Sequence, residues 1–144
     1  MKAEIISVGT ELLLGHTVNT DATHVARELS ALGLDLLQVH TVGDNPQRLE
    51  KALREALERA EVVITTGGLG PTEDDLTKET VAHVAKAPLE EHADSMARLR
   101  EYFGARPMSA NQAKQAMLPR GAVAFPDLVG TAPGCATPVG DGRW

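Results

Sequence analysis

The chain has 144 residues, a size typical of one domain with one hydrophobic core, and its apolar runs are too short to cross a bilayer. Fourteen basic and twenty acidic residues give a formal net charge of −6 at pH 7, without a basic cluster, and aromatic residues make up only 3% of the chain. This composition lacks both the positive charge and the stacking surfaces that nucleic-acid binding needs. We therefore expect neither a nucleic acid nor a membrane as a partner.

Cys135 is the single cysteine, which excludes an internal disulfide and a cysteine-built zinc site. The first residues resemble the beginning of a strand and lack the apolar segment of a secretory signal. Both observations predict a cytoplasmic protein.

The first two thirds of the chain alternate between strand and helix patterns. Strands are predicted at residues 3–8, 34–42 and 61–66, and helices at residues 21–32, from Asn45-Pro46 onward, at 74–86 and at 91–103. This order predicts an α/β fold with a mostly parallel sheet and helices on both faces. The β-branched third strand is expected at its centre. Ligands of such sheets bind at the carboxyl ends of the strands, here the loops after Val8 and Thr66.

The last third of the chain is rich in glycine and proline. It predicts one short helix at residues 109–117, short strands at 122–125 and 134–138, and a hairpin turn at residues 140–142. No strand follows that turn. We therefore expect a single domain over residues 1–144 that ends about one strand early.

Residues 65–77 form a glycine-rich stretch between a strand pattern and a helix pattern. Gly67, Gly68 and Gly70 allow main-chain N–H groups to approach a ligand where a side chain would block it. Phosphate is the favoured guest at such a position. The loop therefore predicts a phosphorylated small-molecule ligand.

Asp74 and Asp75 stand at the predicted start of the following helix, and two interpretations are open. Acidic side chains stabilise the first turn of a helix without any further function. Two adjacent carboxylates would also repel a bound phosphate unless a divalent cation lay between them, and oxygen ligands suit Mg²⁺ or Mn²⁺. We favour the metal because the glycine loop is adjacent.

A second polar stretch covers residues 7–21, at the end of the first strand. Its spacing matches neither a Walker-type phosphate loop nor a dinucleotide fingerprint. Thr10, Glu11 and Asn19 are expected to meet the glycine loop across neighbouring strands, and His16 is a weaker candidate for ligand contact. Asn19 is equally suited to capping the next helix, so both roles stay open.

Five motifs together resemble the amino-terminal domain of the CinA family of competence- and damage-inducible proteins. This domain is itself similar to the molybdopterin-binding domains of MogA, MoaB and MoeA. The motifs occur in the CinA order at residues 7–15 with 18–20, 42–46, 65–77, 106–108 and 129–134.

The resemblance implies a three-layer α/β/α domain that hydrolyses ADP-ribose to AMP and ribose 5-phosphate with a divalent cation, Mg²⁺, Mn²⁺ or Co²⁺. Asp75 matches a functional aspartate of the molybdopterin relatives, and Asp74 replaces their arginine, which favours a metal. Related proteins form dimers and trimers, so self-association is implied. Many CinA proteins also carry a domain that hydrolyses the amide of nicotinamide mononucleotide, which these residues do not match.

We therefore predict metal-dependent hydrolysis of the pyrophosphate of ADP-ribose or a related nucleotide. The alternative is a non-catalytic module that binds molybdopterin or a nucleotide. Asp75, Asp74 and Glu11 are the predicted catalytic residues, with Asp75 and Asp74 as metal ligands. The predicted substrate-binding residues are Gly9, Thr10, Asn19, Thr66, Gly67, Gly68, Gly70, Pro71, Thr72 and Thr77.

Overall fold

A parallel sheet forms the centre of the computed structural model, which describes residues 1–125 and 129–144. Strand β1 (Lys2–Val8) lies between β2 (Asp35–Val42) and β3 (Val62–Thr66), with parallel pairing on both sides. The prediction that the third strand is central was wrong. Strand β1 is buried from its second residue to its last, whereas β3 is half-buried throughout. The run of β-branched residues at 62–66 indicated a buried strand, but it could not show which of two buried strands is central.

Helices cover both faces of the sheet, as predicted. After the short helix α1 (Thr10–Leu13), helix α2 (Thr20–Ala31) packs on the face that carries Ala3 and Ile5. Helices α3 (Pro46–Arg59) and α4 (Thr77–Ala85) pack on the face that carries Ile6 and Val8. Because side chains alternate along a strand, β1 supplies apolar groups to both layers. The fold is a three-layer α/β/α sandwich.

The start of α3 follows the sequence prediction. The side chain of Asn45 accepts a hydrogen bond from Arg48 N at 2.9 Å, and Pro46 occupies the first helical position. Gly33 follows α2 with a φ of 76°, the left-handed conformation in which glycine commonly ends helices. Local capping chemistry therefore sets both boundaries.

A smaller antiparallel unit follows, formed by β4 (Leu89–Glu91), α5 (Ala93–Phe103), α6 (Ala110–Ala113), a 3-10 turn (Lys114–Ala116) and β5 (Met117–Pro119). The helices predicted at 91–103 and 109–117 are therefore shorter than expected. The side chain of His92 caps α5, and a capping box at Ser109 begins α6. Strands β4 and β5 were not predicted, and their residues Glu91 and Met117 were assigned to the neighbouring helices.

Strands β6 (Val123–Phe125) and β7 (Gly134–Ala136) pair in antiparallel fashion. In the predicted hairpin turn, Gly140 forms a bridge with Arg143. The next residue, Trp144, donates its main-chain N–H to Glu61 O, and its carbonyl accepts from Val63 N, both at 2.9 Å. Within the described residues, no helix has the length and apolar character needed to span a membrane.

A charged cluster lies within the layer between β1 and α3. Glu4 is fully buried, and its carboxylate accepts hydrogen bonds from Arg59 Nε at 2.7 Å and from a terminal nitrogen of Arg59 at 2.9 Å. His40 Nε2 lies 3.2 Å from the same carboxylate. The hydrogen bonds from Arg59, aided by His40, outweigh burial and hold the pKa of Glu4 below its ordinary value.

Candidate functional site

The loops after the three parallel strands meet at one edge of the sheet. Gly9 follows β1, and its N–H donates to Val42 O at the end of β2, at 2.9 Å. Gly67 follows β3 and approaches β1 so closely that a Cβ atom there would lie 2.1 Å from Val8 O. The two stretches singled out in the sequence are therefore adjacent, as the parallel sheet predicted.

Two glycines give the loop after β3 its path. Gly67 and Gly68 have φ values of 86° and 65°, in the left-handed region that favours glycine. The hydroxyl of Thr77 donates to Gly67 O at 2.8 Å, and Thr77 N donates to Gly68 O at 3.2 Å. Thr77 was predicted to bind the substrate. It is only 1% exposed, and the contacts observed for it hold the loop in place.

The glycine loop carries unused hydrogen-bond donors. Within residues 1–125 and 129–144, the N–H groups of Gly68 and Leu69 have no acceptor. Main-chain N–H groups that are left free in a glycine-rich turn are suited to the oxygens of an anion. Pro71 and Thr72 follow on the exposed side of the loop, which leaves it open to a ligand.

Asp75 closes the end of the loop into a turn. Its Oδ2 accepts a hydrogen bond from Thr72 N at 2.9 Å and a second from the Thr72 hydroxyl. Burial raises the pKa of Asp75, but the hydrogen bonds from Thr72 and Gly70 and the charge of Lys114 together hold it below its ordinary value. The carboxylate is therefore ionised at neutral pH.

The helix after the loop begins later than predicted, at Thr77 rather than Asp74. Leu76 occupies the capping position without a side-chain bond, and the acidic residue in the first turn is Glu79. The capping interpretation of Asp74 and Asp75 was therefore wrong, because both precede the first turn. Asp74 is exposed, and its side chain has no partner among the described residues.

Glu11 and Thr10 lie in α1, at the end of β1. A Cβ atom on Gly9 would be only 2.6 Å from Glu11 Oε1, so the carboxylate lies directly over the glycine. Thr10 N donates to Asp44 Oδ2 at 2.9 Å, while Asp44 N donates to Thr10 Oγ1 at 3.0 Å. Asp44 was missed in the sequence, although it follows a predicted strand as the other loop residues do.

Asn19 and Thr66 converge on one serine of β1. Asn19 Nδ2 donates to Ser7 Oγ at 2.9 Å, and Thr66 Oγ1 donates to the same atom at 3.1 Å. The side-chain oxygen of Asn19 accepts from Ala22 N at 3.1 Å, so the capping role of Asn19 is present. Its role in ligand binding stays a prediction.

One further residue contacts the loop from a distant part of the chain. Lys114 Nζ donates to the main-chain oxygens of Thr72 and Asp75. Nothing in the sequence pattern indicated this contact, because the lysine lies about forty positions further on, outside the stretches with glycine or acidic clusters.

The fold and the loop geometry define a family. Residues 4–140 match the family described as "Probable molybdopterin binding domain". A CinA-like protein of Desulfovibrio desulfuricans is 76% identical over 144 residues, which are 100% of this chain and 34% of that protein. The chain therefore spans about a third of the length of the curated relatives it matches.

Two solved structures extend the comparison. The crystal structure of CinA from Thermoplasma acidophilum has a TM-score of 0.92 and 33% identity, over 99% of this chain and 83% of that one. MoaB from Thermus thermophilus shares the fold, with a TM-score of 0.58 and 22% identity over 85% of this chain and 72% of that one. The chain belongs to the molybdopterin-binding domain family and, within it, to its CinA-like members.

Proposed function

We propose that this domain binds a phosphorylated nucleotide at the glycine loop and hydrolyses its pyrophosphate with a divalent cation, ADP-ribose being the substrate to test first. One observation carries the proposal: free N–H groups of the loop lie at the same sheet edge as the carboxylates of Glu11 and Asp75. The N–H groups are suited to phosphate oxygens, whereas carboxylates repel them. A cation between carboxylate and phosphate would remove this repulsion, so that both groups can occupy the same site.

The donor set is compatible with a cation that the substrate helps to hold. Among residues 1–125 and 129–144, no group of three or more His, Cys, Asp or Glu side chains is arranged to hold a metal ion. Mg²⁺ at phosphate sites commonly binds one or two carboxylates, with water and substrate phosphates completing the shell. Asp75 and Asp74 would supply those carboxylates, and Mn²⁺ or Co²⁺ accept similar ligands.

The residues of the chain would divide the reaction between them. Hydrolysis adds water across the bridging P–O bond, so that ADP-ribose yields AMP and ribose 5-phosphate. The N–H groups of Gly68 and Leu69 would hold phosphate oxygens and stabilise the negative charge that develops on them. Asp75, ionised at neutral pH, would hold the cation together with Asp74, and Glu11 would assist them. The cation, when bound, lowers the pKa of an attacking water.

The test measures hydrolysis of ADP-ribose to AMP and ribose 5-phosphate. A second enzyme, a phosphatase, releases inorganic phosphate from these products, and that phosphate is measured. The test uses this chain and, in parallel, the full-length Desulfovibrio desulfuricans relative, with Mg²⁺, Mn²⁺, Co²⁺ or a chelator. We expect turnover that needs the cation. Absence of metal-dependent turnover in both proteins would contradict the proposal.

A non-catalytic nucleotide- or pterin-binding module is the second candidate. It is favoured by the family description and by the engagement of Asp75 within its own turn. Calorimetric titration with AMP separates the two functions. Binding that is unchanged by a chelator supports the module, whereas binding that requires the metal supports the hydrolase. The self-association implied by the resemblance stays a prediction, which sedimentation would check.

A further inference from the structure

Lys114 reaches the glycine loop from the smaller antiparallel unit. Its Nζ donates to Thr72 O at 2.7 Å and to Asp75 O at 2.8 Å, and it lies 3.6 Å from Glu79 Oε1. The side chain is 23% exposed, so it is partly withdrawn from water. One ammonium group therefore binds both main-chain ends of the turn that Asp75 closes.

In the closed turn, the two carbonyl oxygens converge on Lys114. Both oxygens carry partial negative charge, so a positive group between them stabilises their close approach. A lysine ammonium is suited to this because it is compact and has three N–H donors. On the other side of the turn, Asp75 Oδ2 accepts from Thr72 N. The turn is thus held by the carboxylate of Asp75, which belongs to the turn, and by the ammonium group of Lys114, which comes from a distant part of the chain.

A second connection joins the 3-10 turn to α4, the helix that follows the loop. Lys78 of α4 donates from its Nζ to Gln115 O at 2.6 Å, and Gln115 is the residue after Lys114. Lys78 is 6% exposed, so this bond is buried. Because Lys78 holds α4 against the 3-10 turn independently, loss of the Lys114 side chain should leave the surrounding fold intact.

We propose that Lys114 is a positioning residue that keeps the turn from Thr72 to Asp75 closed before a ligand arrives. The inference rests on the proposed function, since it assigns Lys114 to the loop that would bind phosphate. Lys114 acts through the main chain of the turn and is not assigned to the reacting atoms. A pre-closed turn presents Asp75 in one orientation, which removes a conformational step from binding and catalysis.

The experiment compares Lys114→Met, Lys114→Arg and a matched control, Lys51→Met, which removes a lysine that is 78% exposed. Amide exchange is followed at Thr72 N and Asp75 N, the donors bonded within the turn. In Lys114→Met we expect both to exchange at least about tenfold faster, because the substitution removes two charge-assisted hydrogen bonds and the loss of one alone has about this effect. Lys114→Arg should restore most of the protection, and Lys51→Met should change nothing.

Two further measurements accompany exchange. Titration with inorganic pyrophosphate and Mg²⁺ should show binding that is weaker in Lys114→Met than in Lys51→Met, by less than about threefold. With ADP-ribose, kcat should fall by roughly tenfold or more while KM changes less than about threefold, because a displaced Asp75 affects the reaction more than the free N–H groups that bind phosphate.

Unchanged exchange at Thr72 and Asp75 in folded Lys114→Met would overturn the inference. Faster exchange spread over the whole chain would also overturn it, because it would indicate a general structural role. If Lys114→Met fails to fold, Lys114→Gln takes its place under the same criteria. If the wild-type chain fails to hydrolyse ADP-ribose, the proposed function fails, whereas exchange and pyrophosphate binding still decide the role of Lys114.

Discussion

The carboxylate of Asp75 occupies the space that a side chain at Gly70 would take, since a Cβ atom there would lie 2.7 Å from Asp75 Oδ2. The same relationship recurs twice: a Cβ atom on Gly9 would collide with Glu11 Oε1, and one on Gly68 would lie 2.2 Å from Thr77 Oγ1. These glycines therefore make room for polar side chains of the protein itself. Their role is wider than the approach of a ligand, which was the reason for singling out the loop in the sequence.

Gly70→Ala should displace the Asp75 carboxylate without unfolding the chain. Gly70 has no left-handed φ, so the added methyl group meets a movable side chain and causes no backbone strain. We expect ADP-ribose turnover to fall by roughly tenfold or more, with the free energy of unfolding lowered by about 1.5 kcal/mol at most. Steady-state kinetics and urea unfolding measure the two effects.

Gly134→Ala is the matched control, because its Cβ atom would meet Phe125 at an ordinary contact distance of 3.6 Å. It should keep turnover and stability near the wild-type values. Full activity in Gly70→Ala would show that the position of the Asp75 carboxylate is unimportant.

Asp75→Asn should abolish metal-dependent turnover and leave the fold almost unchanged. Asparagine keeps an oxygen that can accept from Thr72 N, but it removes the negative charge that a divalent cation needs. The thermal midpoint should therefore move little while hydrolysis of ADP-ribose collapses. Calorimetry and the coupled assay measure both, and equal turnover in Asp75→Asn and wild type would remove Asp75 from the catalytic centre.

Asn19→Asp separates the capping role of Asn19 from a ligand-binding role. Aspartate keeps an oxygen that accepts from Ala22 N, but it loses the N–H donor that reaches Ser7. Asn19→Ala loses both contacts and should cost about 1 kcal/mol of unfolding free energy, as removal of a helix cap commonly does. Asn19→Asp should cost less than this by urea unfolding.

AMP titration of the same two variants then tests ligand binding. Weaker binding in folded Asn19→Ala, which adds no charge that would repel the AMP phosphate, would assign Asn19 to the ligand. If AMP affinity falls only as far as the unfolding free energy falls in both variants, the role of Asn19 is limited to capping the helix.

The buried carboxylate of Glu4 should make stability depend on pH in acid. Its native pKa lies below the ordinary value of 4.5, mainly through hydrogen bonds from Arg59. The stabilisation is therefore complete above about pH 4.5 and is lost as the pH falls through the lower native pKa. In urea unfolding, Glu4→Gln should show a shallower loss of unfolding free energy over that acid range than the wild type.

Glu90→Gln is the control for this measurement. Glu90 pairs with Arg120 at the surface, where both side chains are at least half exposed, so its removal should leave the acid dependence unchanged. Identical acid dependence in Glu4→Gln and wild type would show that the buried ion pair does not drive the effect.

The layers of the fold could be predicted because local patterns determine them. Helix α3 began where Asn45 and Pro46 indicated, and the three parallel strands brought Gly9 and Gly67 together. The start of α4 could not be predicted from acidic residues alone. Asp75 bonds to Thr72 in a turn before the helix, and such local side-chain contacts compete with helix formation.

The contacts that complete the candidate site depend on pairing between distant segments. Lys114 meets Thr72 across 42 positions, and Asp44 meets Thr10 across 34. Neither pair has a periodicity that would reveal it, since helix and strand periods report only local neighbours. Hypotheses drawn from the sequence therefore reached the glycine loop and its acids, but not Lys114 and Asp44, which contact these stretches from elsewhere in the chain.

The glycine and side-chain pairs constrain how this loop can change over generations. A larger residue at position 9 or 70 is compatible with the same backbone only if its partner, Glu11 or Asp75, is shortened or moves away. At position 68, where Thr77 is the partner, the left-handed φ of 65° disfavours a larger residue as well. Each pair should therefore be inherited as a unit, because enlarging the glycine alone displaces its partner and shortening the partner alone leaves a void. Diversification of this sheet edge would then proceed through Pro71 and Glu73, which are exposed, so that ligand preference can vary while the paired positions stay fixed.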